Sequence, residues 1–155
     1  MVIQPLADIP EAIPVLAQWF HREWYCFDGR SQQTIEVQLT ENFERNRIPI
    51  TFLAMNADQI IGTVSIDKSD LPRFDHLSPW LASLYVIPEA RAAGVGTALI
   101  CHAQRFAASH RIDRLYLWTP GPIFLYERCG WTVCGHTHYN SHPIILMFSV
   151  PPKVE

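Results

Sequence analysis

The sequence predicts a three-layer α/β or α+β protein, a sheet covered by helices, organised as one domain over residues 1–155. Three observations carry this. Helical and strand periodicities alternate along the chain in a mixed order: two helices, three strands, helix, strand, helix, two strands. A hydrophobic content of 48% over 155 residues is enough for one sizeable core. No internal repeat, low-complexity tract or linker divides the chain, and its 12 prolines are scattered as punctuation.

The elements follow in order. Asp8 is a candidate N-cap for a first helix, with Pro10 near the first turn. Ile9, Ile13, Leu16 and Phe20 form its apolar stripe, while Pro14 argues for a later start, since an interior proline removes a hydrogen bond. After the turn "CFDGRS", Gln32 to Arg47 reads as a second helix with Ile35, Val37, Leu39 and Phe43 as apolar members. "ITFLAMN" and "QIIGTVSID" read as strands joined across Asn56, Ala57 and Asp58. "LPRFDHLSP" reads as loop. "WLASLYVI" is apolar on both faces, as a central strand is, and Pro88 ends it. A helix from Gly94 to about His110 carries Val95, Leu99, Ala103, Phe106 and Ala107 on one face. "RLYLW" is a strand and "PIFLYERCG" a short helix stopped by Gly130. "WTVCGHTH" and "PIILMFSV" close the chain as two strands.

Composition excludes several functions. The formal charge is −3, from 15 acidic and 12 basic residues, and no basic cluster exists to neutralise phosphates, so nucleic acid is not an expected partner. "MVIQPLADIP" lacks the pattern of a signal peptide, and no apolar run approaches the ~20 residues that span a bilayer. The expectation is a cytoplasmic protein without a membrane partner, whose four cysteines are free thiols.

The most informative stretch is "YVIPEARAAGVGTALI". A strand ends at a proline, and a short loop with Arg91, Gly94 and Gly96 leads into a helix. Glycines let a ligand approach the backbone, and the first helical amides lack intrahelical acceptors. With the helix dipole they form a site for phosphate or pyrophosphate, and Arg91 adds positive charge. A Walker loop is excluded because no Gly-Lys-Ser/Thr follows. A dinucleotide fingerprint is excluded because Leu99 stands where a third glycine belongs.

The pattern Arg-x-x-Gly-x-Gly between strand and helix resembles the acetyl-CoA loop of the GNAT family of N-acetyltransferases. About thirty residues on, "LYLWTPGPIFLYERCGW" resembles that family's fifth strand and the short helix after it. The resemblance covers essentially the whole chain. It implies a central mixed, mostly antiparallel sheet of about six to seven strands, flanked by about four helices. It also implies acetyl-CoA as co-substrate, held in a gap between the fourth and fifth strands. Backbone groups of Leu84, Tyr85 and Val86 would pair with the pantetheine arm. Amides of Arg91, Ala92, Ala93, Gly94, Val95 and Gly96 would hold the pyrophosphate, with the Thr97 hydroxyl in addition. Ala92 and Ala93 stand where relatives often have basic residues or glycine, which leaves the amide cradle but weakens side-chain contacts.

The reaction implied is direct attack by a neutral primary amine on the thioester, in a ternary complex. Tyr126 matches the family's general acid, since a phenol can protonate the leaving thiolate. The base is open: "WLASLYVI" contains no carboxylate where many relatives have a glutamate. Asp67, Asp75 and His76 flank the sheet as candidates acting through water; an amine arriving neutral is the alternative. In the link "HREWYCFDGRS", Trp24, Tyr25 and Phe27 are candidate walls of an acceptor pocket, and Glu23 or Asp28 a candidate ammonium partner. The expected acceptor is a small-molecule amine or a peptide N-terminus, and the expected state a monomer or homodimer.

Two rival readings stand. One is a noncatalytic module of the same fold that binds acyl-CoA and senses it. The other is a zinc site in "CGWTVCGHTHYNSH", which has zinc-ligand residues but not the paired C-x2-C spacing of structural sites. Read as a strand, it puts Trp131, Val133 and Gly135 on one face and Thr132, Cys134, His136 and His138 on the other. Three such residues span ~13 Å, too far to share an ion, so no metal is expected.

Overall fold

A computed structural model describes residues 1–154, without the side chain of Phe27. Among the described residues, eleven strands and α-helices form a seven-stranded sheet and four helices. They are β1 (Val2–Pro5), α1 (Ile13–Glu23), α2 (Gln32–Glu41), β2 (Ile50–Asn56), β3 (Gln59–Asp67) and β4 (Trp80–Val86), then α3 (Val95–Ser109), β5 (Leu115–Thr119), α4 (Phe124–Arg128), β6 (Thr132–Tyr139) and β7 (His142–Ser149). The strand order is β1-β2-β3-β4-β5-β7-β6, antiparallel throughout except for β4 and β5. Among the described residues no helix is long and apolar enough to cross a membrane.

Strand alternation distributes the core over both faces. Phe52, Ala54, Val64 and Ile66 pack against α3 through Leu99, Ile100 and Ala103. Leu53 and Met55 turn the other way, onto Leu16, Ala17 and Phe20 of α1 and Ile35 and Leu39 of α2. Toward the β5–β7 end the β3–β4 connection supplies a third, smaller cluster, in which Leu71 meets Trp80, Ile144 and Leu146.

The structure corrects several expectations. Asp8 caps no helix: two 3-10 turns, Leu6–Asp8 and Pro10–Ala12, precede α1, and Asp8 pairs with Arg45. The later start that Pro14 argued for is observed: α1 begins at Ile13, with Pro14 in its first turn, where no hydrogen bond is lost. The second helix ends at Glu41 rather than Arg47, because Phe43 leaves to bridge Ile50 at the sheet edge. Of its proposed apolar members, Val37 is 58% and Phe43 36% exposed. In β6 a register shift between Val133 and Gly135 inserts Cys134 as an extra residue. Pairing with Met147 and Leu146, on opposite faces of β7, therefore sends Val133 and Gly135 to opposite faces. Among the described residues no three His, Cys, Asp or Glu side chains converge as metal ligands.

One glycine is required by packing. A Cβ on Gly62 of β3 would sit 3.0 Å from the Leu99 Cδ1 and 3.0 Å from the Tyr85 carbonyl oxygen, which is backbone and cannot rotate away. Gly62→Ala is expected to cost about 1–3 kcal/mol in a urea melt by forcing α3 off the sheet. An unchanged midpoint would show that α3 sits more loosely than this.

Candidate functional site

The parallel neighbours β4 and β5 share a single aligned pair, Trp80 with Tyr116, and then separate. Beyond that point each strand is hydrogen-bonded on one side only, so backbone donors and acceptors of β4 face an open gap. A bulge shapes this edge. Thr63 pairs with Tyr85 and Ser65 with Ala82, so Ser83 and Leu84 together oppose one residue, and Ser83 has φ 54. The Val86 carbonyl at the end of β4 accepts a hydrogen bond from Arg91 Nε at 2.9 Å.

The loop after β4 presents a run of free amides. The Arg91 N–H is taken by the Pro88 carbonyl at 3.3 Å, and the first bond of α3 is Ala98 N–H to Gly94 at 3.0 Å. Between them, among the described residues, the amides of Ala92 to Thr97 bond to no main-chain acceptor. Ala92 (φ 59) and Gly94 (φ 83) both have left-handed backbone, which turns successive N–H groups to one side. A Cβ on Gly94 would meet nothing within 4 Å, so the loop is open above the helix N-terminus. A pyrophosphate fits this concavity, with amides and helix dipole supplying the attraction. The Arg91 amide is not part of it, and its guanidinium turns back over the Tyr85 ring, 5.6 Å from the centroid. The Thr97 hydroxyl lies beside the Cys129 thiol, whose pKa is raised chiefly by burial and then by nearby Cys101.

A cavity of about 610 Å³ opens where β4 and β5 diverge. It brings together Leu84, Tyr126, Trp24, Tyr25 and Asp28, from segments far apart in sequence. Tyr126 reaches it because α4 is short and Gly130 (φ 85) turns the chain sharply into β6. Its ring meets Trp131 edge-on at 6.4 Å. Burial, and secondarily Cys129, raise the Tyr126 pKa, so the phenol keeps its proton at neutral pH.

Not every expected residue converges. The Tyr85 side chain is buried on the α1 face, between Trp19 and Trp24, with its hydroxyl accepting from Arg22 at 3.0 Å. Only its backbone belongs to the β4 edge. Phe27's side chain lies outside the described residues. Asp75 accepts from Ser69 at 3.0 Å in an exposed position, and His76 stacks on Phe74, so neither lines the cavity. What the sequence reading passed over is Asp70, in the β3–β4 connection; the cavity also takes in Tyr139, Asn140 and His142 from the β6–β7 turn, within the segment weighed above as a zinc site. The alternating polar residues of β6 were the one sequence signal for the turn.

A family model described as the acetyltransferase (GNAT) family matches residues 13–131. No curated protein matches the chain by sequence. Among solved structures, aminoglycoside 6'-acetyltransferase type Ii is similar over 100% of both chains, at 20% identity and a TM-score of 0.77. An aminoglycoside 6'-N-acetyltransferase complexed with coenzyme A matches over 100% of both chains at 17% identity and a TM-score of 0.75. A spermidine N-acetyltransferase chimera from Vibrio cholerae and hSSAT matches over 97% of this chain and 96% of its own, at 18% identity and a TM-score of 0.72. Each likeness is one of fold.

Proposed function

The chain belongs to the acetyltransferase (GNAT) family, and from that premise we propose that it transfers the acetyl group of acetyl-CoA to a primary amine of a small molecule or peptide. The observation that carries the proposal is the cavity that sets Tyr126 against the bulged, half-unpaired edge of β4. Acetyl-CoA, when bound, supplies an activated thioester. The free amides from Ala92 to Thr97 are suited to its pyrophosphate, and backbone groups of Leu84, Tyr85 and Val86 to its pantetheine arm. Tyr126 donates its proton to the departing sulfur. Glu23 and Asp28 line the cavity and add acidity that would favour an ammonium group, although Arg22 and Arg30 offset them in part, and Trp24 and Tyr25 supply apolar area. Small polyamines and aminoglycosides, the acceptors named for similar folds, are the first compounds to try.

The test is thiol release from acetyl-CoA across a panel of polyamines, aminoglycosides and peptides with free N-termini. At least one amine is expected to accelerate release well above the rate without acceptor. Tight acetyl-CoA binding with no acceleration by any amine would instead identify a noncatalytic acyl-CoA-binding module.

A further inference from the structure

The geometry points to Asp70, in the connection between β3 and β4, as the group that holds the acceptor's ammonium and takes its proton. This rests on the acetyl-transfer reading and fills the place left by the missing carboxylate on β4.

Asp70 stands at a junction. It lines the 610 Å³ cavity that contains Tyr126 and also a second cavity of about 350 Å³ beneath α2. Among the described residues only Tyr25 and Ser83 share that double position with it. Its place is held from the far side of the gap, because the Trp118 indole on β5 donates to its main-chain carbonyl at 3.3 Å. Asp70 thus stands where the two cavities meet, beside the opening between β4 and β5.

Among the described residues no cation pairs with it. Arg30, which lines the smaller cavity, is held by Asp28 at 3.2 Å and lies over the Tyr25 ring at 4.0 Å. Lys68, on the same connection, makes no ion pair, and Glu23 is matched by Arg22 at 3.6 Å. Asp67, at the end of β3, accepts from Asn42 at 2.9 Å and adds a second negative charge in the smaller cavity; Glu41 of α2 adds a third. From the opposite wall, His142 and Tyr139 face the larger cavity. Burial and then Asp67 raise the Asp70 pKa to about 8, against a smaller lowering by a hydrogen bond from the Trp118 indole. A structural carboxylate is usually paired when enclosed. This one has a neutral indole donor but no cation among the described residues, and its charge is left to a cation that arrives with the substrate.

The proton inventory closes. The carboxylate takes one proton from the bound ammonium and frees the nitrogen lone pair. That pair forms the C–N bond, and the C–S pair leaves on sulfur, which takes the Tyr126 proton. The amide nitrogen sheds its second proton to the phenolate, directly or through water. Asp70 then returns its proton to solvent, which is the one net proton released.

The experiment has two arms. In the first, kcat/KM for an accepted amine is followed against pH. It is expected to rise with pH and level off above an inflection near 8. Asp70→Asn should abolish that inflection and lower the plateau by about 10²-fold or more. Asp67→Asn should move the inflection to lower pH, because the charge that raises it is gone. In the second arm, spermidine binding is measured by calorimetry in buffers of different ionisation enthalpy at pH 7. The wild type should release close to one proton on binding, and Asp70→Asn none. Retention of the inflection or of the proton release in Asp70→Asn would overturn the assignment. The second arm decides even if no amine proves to be acetylated, a result that would defeat only the acetyl-transfer reading.

Discussion

Tyr126→Phe is expected to lower kcat by about 10²–10⁴-fold while leaving coenzyme A affinity unchanged. The phenol's neighbours explain why the effect should be chemical rather than structural. Phenylalanine keeps the ring that packs edge-on against Trp131 and preserves the five-residue helix α4. What disappears is the only part of the side chain that can donate a proton into the cavity. The amides from Ala92 to Thr97 lie on a different segment, so cofactor affinity has no reason to move. Steady-state rates and a coenzyme A titration on both proteins check this. Equal kcat values would remove Tyr126 from the chemistry and transfer protonation of sulfur to water.

The second large effect is on stability, and it opposes the usual behaviour of carboxylates. Burial raises Asp67 to about 6 and Asp70 to about 8 from an ordinary value of 3.8. The folded protein therefore holds protons that the unfolded chain releases. Stability is fully present below pH 4 as far as these two groups are concerned, declines as pH rises from there, and is lost by about pH 8. For Asp70 alone the ceiling is about 6 kcal/mol, at about 1.4 kcal/mol per tenfold change in proton affinity. Water in the cavity screens the charge and brings the expected loss to about 2–4 kcal/mol. Asp70→Asn should be more stable than wild type at pH 8 by a similar amount, and close to it at pH 4. Urea melts at the two pH values measure this directly. A wild type that gains stability between pH 4 and pH 8 relative to Asp70→Asn would mean that the carboxylate is paired after all. The prediction also has functional sense, because a group that destabilises the empty protein is stabilised by the cation it binds.

How much of this was legible in the sequence depended on the range of the interaction concerned. The glycine loop and the Tyr126 helix are local: strand, turn and helix terminus lie within about twenty residues, and each is written in its own glycines, prolines and apolar spacing. The bounds of α3 followed for the same reason, with Gly94 and His110 flanking Val95–Ser109 as its two caps. β1 was not legible, because its four residues acquire strand form only by pairing with Phe52 to Met55, about fifty positions on. The end of α2 was misjudged because Phe43 is claimed by Ile50 across the sheet edge. In β6 the alternation of faces broke at Cys134, and a one-residue bulge leaves no mark in a polar strand. Asp70 was missed because the β3–β4 connection reads as ordinary loop. Only the packing of Leu71 against Trp80, and the Trp118 bond across the gap, bring it to the cavity. Side chains whose role depends on two distant elements meeting are invisible to periodicity.

The central claim is that one site binds acetyl-CoA along β4 and delivers its acetyl group to an amine beside Tyr126. The most direct test is the stoichiometry of a single reaction, with acetylated amine quantified by mass spectrometry and free coenzyme A by its thiol. The account predicts one thiol released for each amine acetylated, with both products falling together in Tyr126→Phe. Thiol release without an acetylated amine, or equal yields of both from Tyr126→Phe, would contradict it.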